Sequence, residues 1–301
     1  MLDFKPVTLS DRKWMYPIIY SENIKNADFS FVNIYAWGAS YSAKCTVMDG
    51  CLVICTKIEG LNWYSYPLGV RADEELGDVI RRLMKHCAEC GEKLRLQSIH
   101  PSKLPVIESL FPGAFDIKPS TDLFDYVYSA EKLISLSGKK LHAKRNFVNR
   151  FMSEHSWRIE PMTKDNVALT ADMDGEWITE KDDSEYDTAF AEAMAIRTSL
   201  RHFDELELDG AFLYDGDTPC AFTIGERICR DTYVVHFEKA EASIAGAYPM
   251  INREFVRMIK EKYPEIEYIN REDDMGLENL RKAKQSYYPE FMEEKYTAVM
   301  R

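Results

Sequence analysis

At 301 residues, with 46% hydrophobic and 29% charged side chains, the chain has the length of about two domains and the balance of an ordinary globular protein. Its net charge of −12 argues against broad nucleic-acid binding and predicts no DNA partner, because such a surface repels polyphosphate over most of its area. No apolar run approaches the ~18 residues of a membrane span. Met1-Leu2-Asp3-Phe4-Lys5-Pro6 lacks the basic-then-apolar layout of a secretory signal, so a cytoplasmic location is expected. Seven cysteines then read as reduced thiols.

A first strand is expected at Phe4–Val7, followed by helices. Phe29-Ser30-Phe31 and Tyr35-Ala36-Trp37 suit a helix and loop packed on a sheet, since aromatics at helical spacing are usually core. A hairpin follows around Cys51-Leu52-Val53-Ile54-Cys55. The helix from Glu74 to Cys90 carries the apolar row Leu76, Val79, Ile80, Leu83, Met84 and Cys87, which puts Cys87 in the core. Gly91 stops it. Cys87-Ala88-Glu89-Cys90 has metal or redox spacing, yet no second pair completes four zinc ligands. The dithiol reads as structural, and no metal is expected. Strand Leu94–Ile99, a short helix near Leu104 and closing strands from about Ala114 to Tyr128 complete the first half.

Gly138 to Trp157 stands apart in this acidic chain. From Lys139 to Arg158 there are six Lys or Arg and one acidic residue, Glu154. Leu141, Val148, Phe151 and Met152 make one helical face. Lys139, His142, Arg145, Asn146, Asn149 and Arg150 fall on another at three- and four-residue steps. One reading is a solvated basic face on a connecting helix. The other is a phosphate-contacting helix, a task that suits Arg forks and helix-borne Asn. On that second reading Lys140, Lys144, Arg145, Asn146 and Arg150 hold the phosphates of a donor.

The second half runs as strand Trp157–Pro161, a helix from Thr163, an acidic loop Glu180–Glu185 and a helix Thr188–Phe203. Hairpin strands flank Asp215-Gly216-Asp217. In the next strand, Thr232 to Lys239, alternation puts Val234, His236 and Glu238 on one face. A His and a Glu so placed can share a proton or serve as general bases, or they form a satisfied core histidine beside a charged rim. The turn Ala242 to Ala247 then leads into a helix from Pro249 to Lys262. Gly246 and Ala247 let backbone N–H groups approach an anion there.

A strand ends at Asn270-Arg271-Glu272-Asp273-Asp274. Asp273 or Asp274 would cap the helix that follows, Leu277–Ser286. Five polar residues in a row exceed what a cap needs, and ligands in open sheets gather at such strand ends. Asn270, Arg271 and Lys284 are therefore candidates. Tyr287, at the turn after that helix, is a candidate proton donor or a core plug. A final strand starts near Phe291.

Four pairs recur in the same order in both halves. Phe4-Lys5-Pro6-Val7-Thr8 matches Ile159-Glu160-Pro161-Met162-Thr163, and Asp49-Gly50 matches Asp209-Gly210. The helix piece at Ile80 to Lys85 matches that at Val256 to Lys260. Tyr126-Val127-Tyr128 matches Tyr296-Thr297-Ala298-Val299. Two copies of one fold are expected, in domains 1–135 and 136–301, the second entered through the basic helix 138–155. The class is α/β (α+β), each domain a mixed sheet flanked by helices. Only the second copy ends its strands in dense charge, so it is expected to be the working half.

Lys140 to Asn146, His236-Phe237-Glu238-Lys239-Ala240, Ile269 to Gly276 and Arg281-Lys282-Ala283-Lys284 together resemble the phosphatidylglycerol lysyltransferase C-terminal domain family. That resemblance implies tandem acyl-CoA N-acyltransferase (GNAT) folds related to aminoacyl-tRNA-dependent peptidyl transferases. It implies that the turn Ala242 to Ala247 lies where a donor's pyrophosphate is cradled, and that Tyr287 lies near a general-acid tyrosine.

Three functions are weighed. The first is an acyl- or aminoacyl-transferase. Its donor is phosphate-bearing, a tRNA acceptor end or acyl-CoA, and its acceptor a small amine, peptide or hydroxyl. His236 or Glu238 takes a proton, Tyr287 returns one, and Asn270 completes the catalytic set; no covalently bound cofactor is expected. The second is an acetyl-CoA-dependent N-acetyltransferase. The third is a non-catalytic module that binds a nucleotide or a protein.

Overall fold

The computed structural model describes residues 1–170 and 186–301, without the side chains of 186–188. In chain order its strands are β1 (Lys5–Pro6), β2 (Lys44–Met48), β3 (Cys51–Ile58), β4 (Leu61–Ser65), β5 (Arg95–Ile99), β6 (Phe115–Pro119) and β7 (Asp125–Ser129). Then come β8 (Trp157–Pro161), β9 (Asp209–Asp215), β10 (Thr218–Arg227), β11 (Thr232–Ala240), β12 (Tyr268–Asn270), β13 (Phe291–Glu293) and β14 (Tyr296–Met300). They form two mixed sheets of seven, ordered β1-β2-β3-β4-β5-β14-β6 and β13-β7-β12-β11-β10-β9-β8.

The two sheets share one pairing pattern. From β1 to β4 neighbours are antiparallel, β4 and β5 are parallel, and β5 and β14 are antiparallel. From β8 to β11 neighbours are likewise antiparallel, β11 and β12 are parallel, and β12 and β7 are antiparallel. The fold class expected from the sequence is observed.

Packing divides the chain into Met1–Phe124 with Glu293–Arg301, here unit 1, and Asp125–Met292, unit 2. The expected boundary was 135/136. The difference lies in the closing strands. The chain's last strand, β14, pairs with β5 and β6 in the first sheet, whereas β7 pairs with β12 in the second.

In unit 1 the helix Asp73–Glu89 buries Leu76, Val79, Ile80, Leu83 and Cys87, as its apolar row predicts. Met84 is half-buried and Cys90 exposed. Burial pushes the Cys87 thiol up, which disfavours the reactive thiolate.

In unit 2 the helix Ala247–Lys262 lays Met250, Ile251, Phe255, Val256 and Ile259 on Leu213, Ala221, Tyr233, Val235 and Ala240 of the sheet. Each such side chain contributes roughly 1.5–3 kcal/mol by leaving water. The basic helix, His142–Glu154, adds Val148 and Phe151 to the same core. Met152, expected on that face, is 41% exposed instead. Of the helix expected from Thr163, a 3-10 turn at Val167–Leu169 and the helical Thr170 are described, and the rest lies outside the described residues. The acidic loop Glu180–Glu185 lies outside the described residues. Among the described residues no helix is long and apolar enough to cross a membrane.

Candidate active site

Strand β11 carries the site, and a β-bulge decides what each of its side chains faces. Against β10, Phe237 pairs with Ile224 while Val235 pairs with Gly225, which leaves His236 as the extra residue. Before the bulge, Tyr233 and Val235 face the Ala247–Lys262 helix; after it, Ala240 does. Glu238 takes the same face, where Asn252 Nδ2 donates to Glu238 Oε2 at 3.1 Å. Lys239 points the other way, to Glu192 of the Tyr186–Arg201 helix at 2.7 Å.

His236 lies with Val234 and Glu226 on that second face. The expectation that His236 and Glu238 share a face is therefore corrected: one inserted residue reverses the alternation between them. Gly225 permits it, since a Cβ there would lie 2.1 Å from the Val234 carbonyl oxygen. A glycine inside a strand pattern was the available signal.

On the helix-facing side, Arg271 Nη2 donates to Glu238 Oε1 at 2.7 Å, with 14% and 6% of the two side chains exposed. The Arg271 guanidinium lies 5.0 Å from the Tyr287 ring centre and 5.9 Å from that of Tyr128. Lys144 Nζ, arriving from the basic helix, sits 4.1 Å from the Tyr287 ring centre. These are cation–π distances. Burial pulls the Lys144 ammonium below its ordinary value and Arg271 adds to this, with Glu238 opposing. Among the described residues Lys144 makes no hydrogen bond or ion pair. Burial also pushes the Tyr287 phenol well up, against the pull of Arg271. Two cations and one carboxylate thus crowd around a buried tyrosine.

The remaining candidates have other duties. His236 is sealed: its Nδ1 lies 2.8 Å from Glu272 Oε1 and its Nε2 3.3 Å from Glu226 Oε1. Burial alone would lower its pKa, but hydrogen bonds to Glu226 and Glu272 outweigh burial and raise it to about 9. The two carboxylates favour its protonated form and occupy both ring nitrogens, which argues against its acting as a base. Asn270 is fully buried; it donates to Asp125 at 2.9 Å and accepts from the Glu272 N–H at 2.6 Å. Lys284 Nζ donates to the Arg271 carbonyl at 2.6 Å and to that of Asp273. Burial brings it down to about 8.

Of the basic helix, only Lys144 reaches the cluster. Arg145 closes on the Leu136 carbonyl at 2.6 Å, completing the end of the preceding helix. Arg150 pairs with Glu154 on the surface, Asn146 with His142, and exposed Lys140 lies over the Tyr288 ring. Asp273 and Asp274 do not cap the next helix, whose first turn follows Leu277. Instead they accept from the N–H groups of Met275 and Gly276, and Arg281 holds the Asp274 carboxyl at about 2.

Gly246 and Ala247 mark a tight approach to the basic helix rather than an open cradle. Gly246 has φ +97°, and a Cβ there would meet the Phe147 carbonyl oxygen at 2.7 Å; Ala247 is fully buried. Gly246→Ala is expected to cost about 2 kcal/mol in chemical denaturation through backbone strain.

Sequence reasoning missed Asn252, Tyr128 and Tyr248. Asn252 was the most legible, being a polar residue in the row Asn252, Val256, Ile259 that otherwise faces the core. Burial pushes the Tyr248 phenol up, and Glu238 reinforces this.

Residues 22–299 match the family described as phosphatidylglycerol lysyltransferase, C-terminal. A protein of unknown function from Bacteroides thetaiotaomicron is 33% identical, with a TM-score of 0.93 over 100% of both chains. The structure of L-PGS from Bacillus licheniformis superposes with a TM-score of 0.68 at 13% identity, covering 98% of this chain and 92% of that one. A tandem GNAT protein from the clavulanic acid biosynthesis pathway gives a TM-score of 0.50 at 9% identity, over 99% and 98%. An uncharacterised protein of Mycoplasmoides gallisepticum is 24% identical over 176 residues, 57% of this chain and 54% of that relative. The chain thus spans about half the length of that curated relative. Its fold is GNAT-like, and it belongs to the phosphatidylglycerol lysyltransferase C-terminal domain family.

Proposed function

We propose that unit 2 is an acyl- or aminoacyl-transferase, taking an acyl group from a phosphate-bearing carrier to an amine or hydroxyl acceptor. The observation that carries this reading is the half-buried Lys144 ammonium, without a hydrogen-bond partner among the described residues, beside Arg271, Glu238 and Tyr287. A desolvated cation of that kind suits an anionic group or the oxygen of a carbonyl under attack.

In the proposed reaction the acceptor's nitrogen or oxygen attacks the donor's carbonyl carbon, and the bond to the carrier breaks. Glu238 uses two of its lone-pair positions on Arg271 and Asn252, which leaves others to receive the acceptor's proton. Tyr287, its phenol kept protonated, gives a proton to the leaving oxygen. Lys144 and Arg271 face the charge that develops on the carbonyl oxygen, and most of the rate comes from this and from positioning.

Such a phenol suits an ester donor better than a thioester. A thiol of pKa about 8.5 leaves as a thiolate without help, whereas an alkoxide is a strong base and must be protonated. An aminoacyl ester of tRNA is accordingly the favoured donor. The two matching sheets are proposed to descend from one duplicated domain, and the cytoplasm is proposed as the place of action.

The test supplies the protein with a mixture of radiolabelled aminoacyl-tRNAs or with acetyl-CoA. Phosphatidylglycerol vesicles, polyamines and short peptides serve as acceptors. Label moving from tRNA to an acceptor supports the reading. Turnover of acetyl-CoA alone would replace it with the N-acetyltransferase, and binding without turnover of either would leave a non-catalytic module.

A further inference from the structure

The turn that follows β12 is strained, and two buried side chains, His236 and Lys284, hold it. Glu272 has φ +57°, a left-handed conformation that costs a residue with a Cβ. Its neighbours keep the strand's alternation, with successive side chains on opposite sides. Arg271, one residue earlier, goes to the helix-facing side and meets Glu238. Glu272 goes to the opposite side, where its carboxylate lies 2.8 Å from His236 Nδ1.

The backbone around it is pinned as well. Lys284 Nζ binds the carbonyls of Arg271 and Asp273, one on each side of Glu272. The Asn270 side chain accepts from the Glu272 N–H, and the Tyr126 N–H donates to the Glu272 carbonyl at 3.0 Å. His236 itself is wedged between Glu272 and Glu226, whose side chain is 4% exposed.

We infer that His236 and Lys284 are positioning residues: they hold Glu272 left-handed and so aim Arg271 at Glu238. The His236 ring meets the Glu272 carboxylate, and the Lys284 ammonium meets the carbonyls on either side of Glu272. Their influence on the site passes through the backbone at Glu272, so it rests on the transferase reading only for its effect on rate. Strained residues persist when their surroundings over-determine them, and here the His236 ring, the Lys284 ammonium and the Asn270 amide do so.

The discriminating pair of variants is Glu272→Ala and Glu272→Gly. Both remove the carboxylate and its bond to His236. They differ only in tolerance of positive φ, which glycine adopts freely and alanine does not. In crystal structures, Glu272→Gly is expected to keep the contact between Arg271 and Glu238, and Glu272→Ala to lose it. In aminoacyl transfer, kcat of Glu272→Ala should fall about tenfold below that of Glu272→Gly, with KM alike in both. His236→Gln should resemble the alanine variant, and Lys284→Arg, which keeps a cation on the carbonyls, should retain the contact.

Equal behaviour of the alanine and glycine variants, in structure or in kcat, would overturn the inference. So would an unmoved Arg271 in His236→Gln. Should the wild-type protein transfer nothing from either donor, the proposed function falls alone, because the crystallographic comparison still decides where Arg271 points.

Discussion

A Lys144→Met protein is expected to lose roughly 100- to 1,000-fold in transfer rate, the usual cost of removing one group aimed at a developing oxyanion, while keeping its fold. Methionine matches the length of the lysine stem and can rest on the Tyr287 ring. Because Lys144 makes no hydrogen bond among the described residues, its removal orphans no hydrogen-bond partner there, and the methionine replaces its contact with the Tyr287 ring. Its ammonium is partly desolvated and stands near Arg271, so folding stability should hold within about 0.5 kcal/mol or rise.

That separation makes Lys144 the sharpest probe of the site. Glu238→Gln would weaken the anchor of buried Arg271 and confound chemistry with packing. Single-turnover transfer and chemical denaturation, measured on the same preparation, check both halves of the expectation. A Lys144→Met variant that transfers at the wild-type rate would show that the reacting carbonyl lies elsewhere.

Much of this arrangement is legible from residue order, and the rest fails for identifiable reasons. Period-two runs such as Thr232 to Lys239 and the apolar row of Asp73–Glu89 report local geometry, so the strands and helices are found nearly where expected. The matching halves are visible for the same reason. The sheet that each closing strand joins is not, because β7 and β14 both read as Tyr-bearing strands and only long-range pairing assigns them.

At the site, four of the expected residues, Lys144, Glu238, Arg271 and Tyr287, meet as a single group. His236 departs because its one-residue bulge leaves its signal, Gly225, in the neighbouring strand rather than in β11 itself. Arg145 departs because its guanidinium finds a carbonyl nine residues back, a capping contact that charge patterning cannot tell from a phosphate site. The conformation of Glu272 carries no signal at all, since a glutamate seldom adopts positive φ.

His236 also makes a prediction about stability and pH. Its pKa rises from 6.5 in the unfolded chain to about 9 in the fold, so the folded state binds its proton more tightly. The stability this contributes is complete below pH 6.5, declines as pH rises through the interval to about 9, and is absent above it. His236→Gln should therefore be destabilised by roughly 3 kcal/mol at pH 6, with the gap from wild type shrinking steadily toward pH 10. The physical cause is specific, because a neutral amide cannot neutralise two flanking carboxylates. Glu226, almost wholly buried, would lose the cation that His236 places beside it. Urea denaturation of both proteins at several pH values reads the gap directly. A difference that stayed constant from pH 6 to pH 10 would mean that His236 is neutral in the fold, and that Glu226 or Glu272 carries the proton instead.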